Sequence, residues 1–315
     1  MSDSPRRAVA VGGGTGLPKV LRCLLDQGWD TTAVVTMADD GGSSGHLRRE
    51  IGMLPPGDAR NCLAAMAANP EGATARLFSY RFPLGEGLAG HALGNLVIAA
   101  LADIEGSFPA ALDAAGRLLG ARGRVVPSTL DDVVLTAEDV DGKRVVGQSK
   151  VAQSPSPIAW VRYASSRPAR AYAPAAEAIR SADLVVIGPG SLFTSILPNF
   201  LVEGIADALA STSGRVVYVC NVANQRGETN GMDAADHVDA LVRHGLGGVI
   251  DVALLHDDSG HPLPPELDPV AAGPDVQARI AAHGIACVVR DLTDPDDPRH
   301  HCTEKLRRAL EEVAS

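Results

Sequence analysis

A chain of 315 residues with 45% hydrophobic and 21% charged residues can bury a large core, which excludes extended disorder and a fibrous repeat. Its 38 acidic and 28 basic side chains give a net charge of −10, which argues against nonspecific binding to nucleic acid or an anionic membrane but leaves a nucleotide open, because main-chain N–H groups can hold phosphate. The opening MSDSPRRAVA has no hydrophobic stretch and no later run is long enough to cross a bilayer, so the expectation is a cytoplasmic protein without membrane insertion.

Ala8–Val11 reads as a buried strand, Gly12-Gly13-Gly14-Thr15-Gly16 as a turn, and Leu17–Gln27 as a helix with one apolar face and Pro18 in its first turn. Ala33–Met37 follows as a second strand, and the polar stretch Ala38–Gly45 as a turn at its end. Residues 57–120 carry helical spacing over 58–68, 73–80, 91–102 and 108–120. Arg122–Pro127, Val133–Ala137 and Arg144–Val151 read as short strands, with Asp141-Gly142 as a hairpin turn.

After Pro174 strands and helices alternate: Asp183–Ile187, a glycine turn at Gly188–Ser191, a largely helical Leu197–Ala210, strand Arg215–Cys220, helix Asp233–His244 and strand Val249–Leu255. Residues 257–270 read as a surface excursion, and strand Ile285–Arg290 and helix His301–Val313 close the chain. The expected fold class is α/β: a Rossmann-like three-layer arrangement with a mostly parallel central sheet and a small antiparallel addition, in one large domain over 1–315 with an elaboration at about 57–152. Five widely spaced cysteines, Cys23, Cys62, Cys220, Cys287 and Cys302, read as reduced and mostly buried.

The chemistry concentrates in turns at strand ends. Gly12, Gly13, Gly14, Thr15 and Gly16 stand between a strand and a helix, where glycines permit a tight turn and the helix start offers unpaired N–H donors to phosphate. The run is not GxGxxG and no Lys follows the last glycine, which disfavours a plain NAD site and a P-loop. Gly188, Gly190 and Ser191 repeat the logic later, and a shared crevice for both turns is expected at the strand ends. Asp39, Asp40, Gly41, Ser43 and Ser44 could bind Mg²⁺, a ribose or a base, or act in proton transfer; helix capping is the structural alternative for the two acids. Arg60 and Asn61 could meet an anionic or amide-rich ligand, while neighbouring Asp58 reads as a helix cap. His91 and Asn95, four apart, share a helix face and suit either ligand contact or internal hydrogen bonding. Asn221, Gln225, Arg226 and Glu228 belong to an unusually polar turn expected to touch ligand, whereas His300-His301-Cys302 is disfavoured as a metal cluster.

Together VGGGTGLPKVLRCL at 11–24, ADDGGSSGHLR at 38–48, PPGDARNCLAAM at 55–66, HALGNLVIAAL at 91–101, IGPGSLFTSILPNFLVEGI at 187–205 and CNVANQRGETNGMDAADHV at 220–238 resemble the gluconeogenesis factor family, the YvcK-like proteins once called UPF0052, related to CofD-type 2-phospho-L-lactate transferases. The resemblance implies a nucleotide phosphate region at Gly12–Gly16 and Gly188–Ser191, a second part of the cleft at Asp39 and Asp40, and a selecting rim at Asn221 to Glu228. It departs from the family at Asn224-Gln225-Arg226-Gly227, where Thr-Gln-Pro-Gly is usual, so the added Arg226 leaves the ligand open.

What the resemblance implies for function is a regulator that binds UDP-sugars such as UDP-N-acetylglucosamine and links gluconeogenic growth to peptidoglycan synthesis and cell shape, acting on a cell-wall protein partner. The enzyme alternative is an Mg²⁺-dependent transfer of a phospholactyl group from a guanosine diphosphate-linked donor to a deazaflavin, with Asp39 and Asp40 as the catalytic candidates. A dinucleotide-dependent oxidoreductase is a third reading that only the general fold supports. Self-association is a further expectation for an apolar-rich α/β chain of this size.

Overall fold

The computed structural model describes residues 5–257, 263 and 267–314. Among the described residues the strands are β1 (Arg7–Gly12), β2 (Asp30–Val35), β3 (Arg124–Pro127), β4 (Leu135–Asp139), β5 (Arg144–Val146), β6 (Ile158–Tyr163), β7 (Leu184–Ile187), β8 (Arg215–Val219), β9 (Val252–His256) and β10 (Ala286–Arg290). The helices are α1 (Leu17–Asp26), α2 (Gly42–Ile51), α3 (Gly57–Met66), α4 (Ala73–Ser79), α5 (Leu93–Glu105), α6 (Phe108–Leu119), α7 (Gln148–Val151), α8 (Ala173–Arg180), α9 (Leu197–Phe200), α10 (Ile205–Ala210), α11 (Ala234–Leu241), α12 (Pro274–Ala281) and α13 (Thr303–Val313).

The seven-stranded sheet has the order β10-β9-β8-β7-β1-β2-β3, and each of its pairings is parallel. Its central strands are apolar runs such as LVVI in β7, buried at every position, as expected where both faces are covered. One helical layer contains α1, α3, α6 and α13; α8, α9 and α10 belong to the other. A three-stranded antiparallel sheet, β5-β4-β6, stands apart from the main one. Tyr163 at the end of β6 donates its hydroxyl to Pro198 O at 2.7 Å, fastening this small sheet to α9. The expected α/β class, parallel sheet and antiparallel addition all match.

Several boundaries move, each for a local reason. The second strand runs over Asp30–Val35 rather than Ala33–Met37, since its pairing with β1 begins with Asp30 opposite Arg7 and ends with Val35 opposite Gly12, Thr36 N giving the last bond to Gly12 O. Helix α2 begins inside the expected polar turn, so Ser43 and Ser44 sit in its first turn and are buried. The strand expected over Arg144–Val151 stops at Val146: Gly147, at φ +104°, breaks it, and α7 follows. Strand β6 was hidden by the prolines Pro155 and Pro157 before it. The helix expected over Leu197–Ala210 is interrupted near Glu203, whose backbone bridges to Arg170, and restarts after Gly204. Most of the excursion at 257–270 lies outside the described residues; its return is packed, with Val270 N donating to Val222 O and Asn224 N to Asp268 O.

All five cysteines are free; Cys23, Cys62 and Cys220 are buried and Cys287 and Cys302 half-buried. Among the described residues no helix is long and apolar enough to cross a membrane.

Candidate functional site

Strands β1 and β7 are adjacent, with Ala8 opposite Leu184 and Val11 opposite Ile187. From β1 the chain proceeds outward to β2, and from β7 it proceeds the other way to β8. Such a reversal opens a crevice beyond the strand ends, the place where open α/β sheets take their ligands. Both glycine turns emerge there. Gly188 N donates to Val11 O at 2.9 Å, and a Cβ on Gly16 would lie 2.5 Å from Pro189 O, so the turns touch and the second leaves no room for a side chain at Gly16. Gly14 is needed for another reason, its φ of +69°. Helix α1 starts from Gly16 with no side-chain cap, leaving its first N–H groups and its positive dipole end directed at the crevice.

The turn after β7 is clamped from β8. Asn221 accepts from Gly190 N at 3.2 Å and donates to Gly190 O at 2.8 Å, while the Ser191 hydroxyl donates to Gln225 Oε1. Glu228, expected on a rim, is 0% exposed and lies behind the turn. It accepts from Phe193 N at 3.1 Å, from Thr194 Oγ1 at 2.6 Å and from Gln225 Nε2 at 3.0 Å. Burial pushes its carboxyl up to about 7, against the opposing pull of the Thr194 and Phe193 donors. Arg226 is exposed.

A pocket of about 320 Å³ occupies the crevice, within the range of small-ligand sites. Thr15, Gly16, Gly190, Ser191, Asn221 and Gln225 line it, together with Lys19, Arg299, His300 and His301, which the sequence reading passed over as site residues. Lys19 is fixed by a 2.6 Å bond to His301 O, and Arg299 is paired with Asp297. His301 Nε2 lies 3.0 Å from Cys220 O, which can only accept, so that nitrogen carries hydrogen. Burial lowers His301 to about 4, and the ring is neutral. The sequence signal for this wall was the run His300-His301-Cys302, weighed only as a metal cluster, with Arg299 beside it.

The acidic stretch lies across the first glycine turn, outside that pocket. Asp40 caps α7, accepting from Gln148 N at 2.9 Å and Ser149 N at 2.8 Å, which realises the capping alternative for this residue. Asp39 accepts from Gly41 N at 3.0 Å, and burial raises its pKa against the opposing Gly41 and Ser44 bonds. Asp58 is not an N-cap: Pro56 holds that position, and a Cβ on Gly13 would lie 2.4 Å from Asp58 Oδ2. Buried and near Asp39, it is pushed up to about 7, chiefly by desolvation and then by the Asp39 charge, against a bond from Gly14 N.

Ser43, His91, Asn95, Arg60 and Asn61 form a connected internal network, with the hydrogen-bonding alternative realised for His91 and Asn95. Ser43 Oγ is 3.0 Å from His91 Nδ1 and accepts from Asn95 Nδ2 at 3.0 Å; Arg60 donates to Asn95 Oδ1 at 2.9 Å and to Asn61 Oδ1 at 2.7 Å. Ser44 Oγ accepts from Gly57 N at 3.1 Å. This network ties α2, α3 and α5 together behind Asp39. Among the described residues no three His, Cys, Asp or Glu side chains gather as metal ligands.

A family model described as 2-phospho-L-lactate transferase CofD matches residues 8–291. The chain is 41% identical over 319 residues to the gluconeogenesis factor of Bacillus subtilis, covering 98% of each protein. It is 43% identical over 253 residues to that of Halalkalibacterium halodurans, covering 80% of this chain and 78% of the relative. A Nostoc sp. relative, 47% identical over 254 residues, is longer: the match covers 80% of this chain but 55% of that protein. A crystal structure of a UPF0052 family member from Bacillus halodurans superposes with a TM-score of 0.89 at 36% identity, covering 98% of this chain and all (100%) of that one.

Proposed function

The chain belongs to the gluconeogenesis factor family, related in fold to CofD, and on that premise we propose that it is a nucleotide-sugar-binding regulatory protein whose ligand resembles UDP-N-acetylglucosamine. It would link gluconeogenic growth to cell-wall synthesis and cell shape through a protein partner. The observation that carries this reading is the crevice pocket, where two touching glycine turns and the start of α1 meet Lys19 and Arg299. Main-chain donors, a helix dipole and two cations suit a diphosphate, and the amides of Asn221, Asn224 and Gln225 provide hydrogen-bonding partners for a sugar or base. The Arg299–His301 wall lies beyond residue 291, where the match to the CofD model stops, whereas the match to the Bacillus subtilis factor covers 98% of both chains. That supports the factor reading over the transferase.

Calorimetry with UDP-N-acetylglucosamine, GDP and NAD tests the assignment. Saturable binding of the UDP-sugar, abolished by a bulkier residue at Gly14, is expected; no binding at millimolar ligand would reject it.

The enzyme alternative has one observation in its favour, the buried Asp39 and Asp58 beside the first glycine turn, with Asp58 poised near neutral pH for proton transfer. Two carboxylates also fit Mg²⁺, which commonly takes one or two from the protein and the rest from water and phosphate; bound there, the ion would supply charge neutralisation at a diphosphate. Incubation with Mg²⁺, lactyl-diphosphoguanosine and deazaflavin, read by mass for a phospholactyl product beside a transferase control, decides it. Absence of product removes this alternative.

A further inference from the structure

We propose that α5 is the self-association surface of this protein, pairing antiparallel with α5 of a second copy about a twofold axis near its midpoint. The helix LGNLVIAALADIE is apolar almost all round, yet only Gly94, Asn95 and Ile98 are buried. A helix with that composition belongs inside a core or an interface. Asn95 and Ile98 face the chain's own interior, and Asn95 joins the Arg60–Ser43 network. The opposite face carries Leu93, Val97, Ala100 and Ile104, half-exposed or exposed, with Ile104 76% accessible and Val97 packed in part against the chain's own core. Their spacing of four, three and four is that of a helix–helix seam, and it extends over about 17 Å at about 1.5 Å per residue.

Two features select a second copy as the occupant. The seam is self-complementary: antiparallel pairing brings Leu93 to the partner's Ile104 and Val97 to the partner's Ala100, so a branched residue meets a small one at the centre. The charges are also complementary under the same operation. Asp103 stands at the C-terminal end of α5, beside a Glu105 already paired with Arg117 of its own chain, while Arg81, whose backbone bridges to Ala92, stands at its beginning; Asp103 and Arg81 are both exposed. Antiparallel pairing opposes them, and parallel pairing would bring like charges together. Exposed Leu77 and Tyr80 extend the apolar surface at the same end, where Leu93 N donates to Tyr80 O at 2.8 Å.

Sedimentation velocity on the full chain at micromolar concentrations tests this. A two-chain species is expected, and Ala100→Glu, on an exposed position that leaves the core untouched, should weaken association by at least about tenfold while circular dichroism and thermal unfolding of the monomer stay unchanged. Should Ala100→Glu disturb the fold, a charge exchange gives the same answer: Asp103→Arg and Arg81→Glu chains each associate poorly alone, and an equal mixture recovers a two-chain species. A chain that is monomeric throughout, a dimer indifferent to Ala100→Glu in a folded protein, or a mixture that recovers nothing overturns the proposal.

Discussion

Asn221 grips Gly190 by both of its main-chain polar groups, accepting from the N–H at 3.2 Å and donating to the carbonyl at 2.8 Å. A side-chain amide can do this because it carries a donor and an acceptor together, and the segment just beyond β8 thereby sets the turn that follows β7. The crevice is shaped from the strand beside it as well as by its own glycines.

Asn221→Ala should therefore cost about 1 kcal/mol in urea unfolding, the usual net worth of part-buried hydrogen bonds whose partners water can reach. UDP-sugar affinity should fall by about tenfold as the turn loosens. An unchanged affinity would mean that the turn is held by the Ser191–Gln225 and Glu228 contacts alone.

Gly16→Ala places a methyl 2.5 Å from Pro189 O, a backbone atom that cannot swing aside. Destabilisation of about 1–3 kcal/mol is expected, with loss of ligand binding. Gly28→Ala is the matched control, because Gly28 has φ +79° but nothing within 4 Å of a Cβ; it should cost about 1 kcal/mol and leave the calorimetric titration intact.

Arg299→Ala and Lys19→Met separate the two cations. Among the described residues Arg299 pairs with its near neighbour Asp297 at the surface, so its removal should leave thermal unfolding nearly unchanged while weakening diphosphate binding by about tenfold and flattening its salt dependence. Lys19 also holds His301 O, so its loss should lower thermal stability as well as affinity. Equal affinity for wild type and Arg299→Ala would place the diphosphate elsewhere.

Asp58 carries a pH signature. Its pKa rises from 3.8 unfolded to about 7 folded, so between those values the folded state binds the extra proton, and stability falls as pH rises through the window. Glu228, raised from 4.5 to about 7, acts in the same direction. Asp58→Asn should reduce the fall in unfolding free energy between pH 5 and pH 8, by about 1–3 kcal/mol, and leave the Glu228 share behind. Urea midpoints across that range check the slope; no change would mean that Asp58 ionises normally in the folded protein.

The sheet and both glycine turns were legible because they depend on local signals: apolar runs such as Leu184–Ile187 and turns at their ends. Roles set by distant partners were not. Nothing near Asp40 announces that Gln148 and Ser149, more than a hundred positions later, supply the N–H groups it accepts. Asp58 sits where a helix cap is common, and only the folded chain brings it against Gly13. Glu228 stands in a polar run that reads as a rim touching the ligand, although its bonds to Phe193, Thr194 and Gln225 hold it buried behind the turn. The Arg299–His301 wall was the hardest to foresee, since short-range spacing says nothing of a turn returning to Thr15 and Lys19.

The adjacency of β1 and β7 also imposes an order of events on biosynthesis. Ala8 leaves the ribosome long before its partner Leu184, and the pocket wall at Arg299 later still. Until those segments arrive, one edge of β1 is bare apolar backbone and the pocket proposed for the ligand is incomplete. Competence for the proposed ligand would thus be acquired only once residue 299 has emerged, and fragments truncated before it should be blind to that ligand.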